Sequence, residues 1–119
     1  MSNPVVHWQL ISREPEKLAQ FYLTLFGWKI SDANGLGYRM VETAQSGKGV
    51  DGGIWPAPPG APEMVQLFVE VDDIDAALAQ LTGLGGSVVM PKQVLPEGDA
   101  MALATDPLGR PFGLMTARR

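Results

Sequence analysis

Cysteine is absent from this sequence and histidine occurs once, at His7. Without a thiol there is no disulfide framework, no zinc–thiolate or iron–sulfur centre and no cysteine nucleophile. With one imidazole, any site that needs two must take the second from another chain. Basic residues are also few: nine Lys and Arg against thirteen Asp and Glu, for a net charge of −4. They are scattered, and the one adjacent pair, Arg118-Arg119, reads as a solvated end, so no surface for a phosphate backbone is expected. No apolar run approaches the ~20 residues needed to cross a bilayer. The start, Met1-Ser2-Asn3-Pro4, lacks the basic and apolar regions of a secretory signal, so a cytoplasmic location and no membrane association are expected. What remains is 119 residues with 45% hydrophobic and 18% charged content, enough for one soluble domain with its own core.

The pattern of elements is written twice. Val5 to Ile11 alternates as a strand, with Trp8 and Leu10 on one face and His7 and Gln9 on the other. Ser12 or Glu14 then caps a helix with Pro15 in its first turn, where the missing N–H is harmless. Leu18, Phe21, Tyr22, Leu25 and Phe26 give that helix one apolar stripe, and Gly27 ends it. Strands are expected over 28–33, 37–43 and 49–55, the first two joined by a tight Asn34-Gly35 hairpin turn. A Pro/Gly-rich stretch, 56–62, interrupts the pattern. It then restarts: Met64 to Val71 alternates, with Val65, Leu67, Val69 and Val71 on one face and Gln66, Phe68 and Glu70 on the other. Asp72 and Asp73 cap a second helix, Gly85-Gly86 stop it, and strands follow over 87–92, 100–106 and 111–116. A turn at Asp106-Pro107-Leu108-Gly109 joins the last two.

Leu25 maps on Leu84, Gly27 on Gly86 and Ile30 on Val89, so the chain reads as an α+β fold of two tandem β-α-β-β-β modules, 1–55 and 63–119, with 56–62 as linker. Each half-sheet has one face for its helix. The other face is expected to meet its counterpart across a cleft, which His7, Gln9, Gln66, Phe68 and Glu70 would line. Trp55 with Tyr38, Met40, Phe68, Met101 and Met115 suggests an adaptable apolar pocket for an organic molecule. Gly-x-Ser-x-Gly is missing, and Gly83-Leu84-Gly85-Gly86 follows a helix instead of opening one, so neither a serine elbow nor a phosphate loop is read here.

The stretches Val6-His7-Trp8-Gln9-Leu10, Phe21-Tyr22 with Leu25-Phe26-Gly27-Trp28, Val71-Asp72-Asp73-Ile74-Asp75-Ala76-Ala77 and Asp106-Pro107-Leu108-Gly109 resemble the vicinal oxygen chelate superfamily. That superfamily includes glyoxalase I, bleomycin-resistance proteins and extradiol dioxygenases. The resemblance implies metal-ligand positions on the first and last strand of each module, which here fall on His7, Gly53, Gln66 and Gly113. One imidazole, one neutral amide and two glycines do not make a transition-metal site. A shift of one position toward Asp51 or Glu70 does not complete one. The sequence therefore resembles a metal-free branch, with no cofactor expected. Its expected role is binding of a small, largely apolar organic molecule through His7, Gln9, Tyr38, Gly53, Trp55, Gln66, Phe68, Glu70, Met101 and Gly113. Two alternatives stand beside this: a lyase or isomerase with His7 as catalytic acid–base group, and a homodimeric interaction module without a ligand. A homodimer fits all three, since members of the superfamily commonly pair. The glycines at 53 and 113 allow either close approach of a ligand or a bend in the strand.

Overall fold

Pro15 fixes the first turn of helix α1 (Pro15–Phe26), which follows strand β1 (Val5–Ser12). Glu14 is its N-cap but makes no side-chain cap bond. Instead the Ser12 hydroxyl accepts from the Glu14 N–H at 3.0 Å. Gly27, at φ 69°, closes the helix in the left-handed conformation and donates its N–H to the Leu23 carbonyl. The short strand β2 (Lys29–Ile30), β3 (Arg39–Glu42) and β4 (Gly52–Pro56) follow. Then come β5 (Met64–Glu70), α2 (Ile74–Gly83), β6 (Ser87–Val94), β7 (Ala100–Thr105) and β8 (Pro111–Met115). Asp73 caps α2 by accepting from the Ala76 N–H at 3.1 Å. The order β-α-β-β-β thus occurs twice in succession. This computed structural model describes residues 2–35, 37–45, 47–95 and 98–116; the Arg118-Arg119 pair lies outside them.

Packing divides the chain into two compact units, His7–Gln66 and Met1–Val6 with Leu67–Arg119. The divisions fall inside β1 and β5 rather than in the Pro-rich stretch. The first residues of β1 belong with the later unit, where the Glu70 N–H donates to the Pro4 carbonyl at 2.9 Å. In His7–Gln66 the strand order is β2-β3-β4-β1, with β1 and β4 parallel and the other pairs antiparallel. Its core is Ala19, Val41 and Ile54, with Trp8, Leu10, Leu18, Trp28 and Ile30 packed against them. The Pro/Gly stretch is held to the same unit: Glu63 accepts from the Ser12 hydroxyl and from the Arg13 N–H, and the Arg13 guanidinium donates to the Ala61 carbonyl.

The other unit orders its strands β5-β8-β7-β6, with β5 and β8 parallel. Ile74 and Leu78 of α2 pack there on Ala100, Ala102 and Leu114. The expected turn at Asp106 forms as read: its carboxylate accepts from the Leu108 and Arg110 N–H groups, and Gly109 takes φ 86°.

Three expectations need correction. The α1 stripe meets the core only at its start, through Leu18 beside the buried Ala19: Phe21, Leu25 and Phe26 are 57–58% exposed. Phe21 and Phe26 instead join Tyr22, Trp28 and Trp8 in an aromatic cluster with centroid spacings of 4.9–6.1 Å. On β5, Val65 and Leu67 are exposed while Gln66 and Phe68 are buried, because the α2 core reaches Val69 and Val71 and stops there. Finally, Asn34-Gly35 is not a two-residue hairpin turn. The Asn34 side chain accepts from the Tyr38 N–H, and the positive φ falls on Gly37, at 82°.

Candidate functional site

Strand alternation sets the chemistry of the sheet face turned away from α1. Gln9, Gly53 and Met40 form one row across β1, β4 and β3, and Ile11 with Trp55 lies in the next row on the same face. Tyr38, just before β3, stacks at a tilt on Trp55 with ring centroids 4.5 Å apart. Its ring then crosses the place where residue 53 would carry a side chain. A Cβ on Gly53 would coincide with the Tyr38 ring and hydroxyl, so glycine is required there by the tyrosine. The close approach anticipated at this position comes from the protein's own phenol.

The hydroxyl thus carried across β4 bonds His7 Nε2 at 2.9 Å. Gln9, only 6% exposed, also bonds the Tyr38 oxygen. The imidazole makes a further bond to the Asp51 backbone, one that favours the charged ring and is therefore donated by it. With one ring nitrogen donating to Asp51, Nε2 accepts from Tyr38 in the neutral ring. The resulting chain runs from Gln9 to Tyr38, then to His7 and the Asp51 backbone. The Asp51 carboxylate is turned elsewhere, accepting from the Thr43 and Ala44 N–H groups at 2.8 and 2.9 Å.

Burial governs both titrating groups. Desolvation pushes the Tyr38 phenol up to about 12, with the Gln9 bond opposing it. Desolvation also lowers His7 below its ordinary 6.5, against the opposing charge and backbone bond of Asp51. The unfolded chain therefore takes up this proton at a higher pH than the folded one. Stability tied to the neutral ring is complete above pH 6.5 and is lost as pH falls through the interval just below it. His7→Gln is expected to flatten the dependence of stability on pH in that interval, read from urea midpoints of both proteins. An unchanged dependence would show that the ring is not desolvated.

Among the residues expected to bind a ligand, His7, Gln9, Tyr38, Gly53 and Trp55 are brought together in this unit, and Gln66, 5% exposed, lies buried in it. Phe68, Glu70, Met101 and Gly113 belong to the other unit. There Phe68 pairs with Gly113 in register, and a Cβ on Gly113 would enter the Phe68 ring. Glu70, Met115 and Met101 form the neighbouring row. The same device thus occurs at both glycines: an aromatic ring fills the slot of a missing side chain. Gly52 adds a third case, on the opposite face of β4, where the Trp8 indole fills the slot and donates to the Val50 carbonyl at 2.6 Å. Asp51, the anchor of His7, was missed from the sequence: the bond goes to its backbone, so its side chain gave no signal.

The donor set does not fit a divalent ion. Gly53 and Gly113 offer no ligand and their slots are filled with rings, both nitrogens of His7 are engaged within the protein, and the Asp51 carboxylate holds a loop. Among the described residues, no three His, Asp or Glu side chains are grouped as metal ligands. Among those residues, too, no helix is long and apolar enough to cross a membrane.

Comparison with known proteins bears on the family and the fold. The sequence profile of the glyoxalase-like domain matches residues 7–115. The "Putative glyoxylase CFP32" of Mycobacterium bovis is 36% identical over 107 residues, covering 84% of this chain and 40% of that protein. The protein of the same name from Mycobacterium tuberculosis matches equally. The chain therefore spans about two fifths of the length of these relatives. Among solved structures, the hypothetical protein BH1468 of Bacillus halodurans superposes with a TM-score of 0.69 at 12% identity, covering 100% of this chain and 97% of that one. Streptomyces coelicolor methylmalonyl-CoA epimerase in complex with 2-nitronate-propionyl-CoA gives 0.68 at 15% identity, covering 98% and 96%. At such identities the likeness is one of fold. The profile match over nearly the whole chain, carried by an α+β architecture of two β-α-β-β-β stretches, makes this chain a member of the glyoxalase-like domain family.

Proposed function

We propose that the Tyr38–Trp55 wall binds a small, largely apolar organic molecule, and that it does so without a metal ion. The supporting observation is the Tyr38 hydroxyl. It is held from two sides by Gln9 and His7, and its ring is braced on Trp55 and over Gly53. A wall of two aromatic rings with one oriented hydroxyl and one buried amide is the composition of a site that takes an apolar body and fixes it by one or two polar contacts. In this reading His7 is a positioning residue for Tyr38. Its Nε2 is engaged by the tyrosine at 2.9 Å, which favours this role over the acid–base alternative.

Titration with phenol and with indole tests the proposal, the Trp55 indole N–H serving as the nuclear magnetic resonance reporter. A saturable shift is expected. Tyr38→Ala is expected to weaken it by about tenfold, the equivalent of about 1.4 kcal/mol. Zinc or nickel chloride, or a chelator, is expected to leave affinity unchanged. Binding that appears only with added metal, or no saturable shift from either probe, overturns the reading.

A further inference from the structure

On the opposite face of the same sheet a groove of about 910 Å³ runs over the start of α1, lined among others by Glu14, Glu16, Lys17, Gln20 and Arg39. Arg39 pairs in register with the core residue Ile54, which places its side chain on the α1 face, away from the Tyr38 wall. Its Nε is buried and has no hydrogen-bond partner among the described residues, and its Nη1 donates to the Ser31 carbonyl over a long 3.4 Å. A buried donor left unpaired carries its full desolvation cost, and a guanidinium edge is shaped to give two parallel bonds to a carboxylate. A turn of the guanidinium that releases the long Ser31 bond would present that edge to the groove.

Two further observations narrow the ligand. Lys17 and Arg39 are balanced by Glu14 and Glu16, so the lining carries no net charge and suits a single negative charge better than a polyanion. Lys17 and Gln20 also line a second hollow of about 520 Å³ that continues along α1 over Phe21, Thr24 and Leu25. Phe21 and Leu25 lie one and two turns beyond Lys17 on the same helix face, and both are 57% exposed. We infer that this groove binds a monocarboxylate with an apolar tail, its carboxylate on Arg39 and its tail along Phe21 and Leu25.

The test follows the Arg39 Nε–H resonance of the full chain during titration with sodium octanoate, sodium acetate and sodium phosphate. Octanoate is expected to saturate with a Kd at least about tenfold below that of acetate, and phosphate to give no saturable shift. Arg39→Gln is expected to weaken octanoate by about tenfold or more, with Arg39→Lys, which keeps the charge and loses the fork, falling between. Leu25→Ser is expected to shrink the advantage of octanoate over acetate while leaving acetate itself in place. Equal affinity for octanoate and acetate overturns the inference, and so does preferential binding of phosphate. The wild-type titrations decide these two outcomes even if a variant folds poorly. In an Arg39→Gln protein of unaltered circular dichroism, undiminished octanoate binding overturns it as well.

Discussion

Phe68→Ala is expected to cost about 3–5 kcal/mol of stability, a fall in Tm on the order of 10–25 °C. Phe68 is 2% exposed, and its ring lies where Gly113 lacks a side chain, so truncation leaves a cavity bounded by strand backbone that cannot collapse into it. The more discriminating measurement is a pair. In the wild-type chain Gly113→Ala drives a Cβ into the ring and is expected to cost about 1–3 kcal/mol through overpacking. In the Phe68→Ala background the same methyl enters vacated space. There it is expected to be neutral or to stabilise by roughly 0.5–1 kcal/mol, since alanine is preferred to glycine inside a strand. Calorimetry of the four proteins gives the coupling. Additive effects would mean that ring and glycine do not share one volume.

Gly53→Glu is the second large effect. It places a carboxylate on the last strand of the first half, where the superfamily resemblance locates a metal ligand. Its Cβ collides with the Tyr38 ring and hydroxyl, so the expected result is a loss of about 1–3 kcal/mol. Displacing Tyr38 also breaks its bond to His7 and empties the wall beside Trp55, so binding of phenol or indole is expected to fall with stability. Zinc or nickel chloride is expected to raise the Tm of neither the wild-type nor the Gly53→Glu protein. An ion present at a hundred times its Kd would add about 2.7 kcal/mol. A metal-dependent rise of that size in untagged wild-type protein would overturn both this prediction and the proposed mode of binding.

Local signals were readable where one residue type has one physical use. Pro15 and Gly27 bracket α1, Asp73 caps α2, and Asp106 with Gly109 makes its turn, because each answers a backbone requirement within a few residues. Alternation in β1 likewise separated Trp8 and Leu10 from His7 and Gln9 correctly. Alternation says which residues share a face but not how far a helix extends over it. Hence Val65 and Leu67 were read with Val69 and Val71, although the α2 core reaches only the latter pair.

The site was half legible for a similar reason. Glycine at 53 and 113 announces that something needs the space, but its occupant comes from elsewhere in the chain. Tyr38 reaches Gly53 from fifteen positions away, carried there by β3 pairing with β4. Arg39 gave no signal at all. A lone arginine in a short strand reads as surface, and only the three-dimensional packing shows its Nε sealed without a partner among the described residues.

The filling of the Gly53 slot by Tyr38 also constrains the order in which this sequence can change. A carboxylate at 53 is obstructed while the tyrosine stands, and shrinking the tyrosine first forfeits the hydroxyl held by His7 and Gln9. Each single step is expected to carry a cost, so a carboxylate at 53 is expected to arise only together with a change at 38. Descendants of such a chain are expected to exchange residues 38 and 53 together or to keep both.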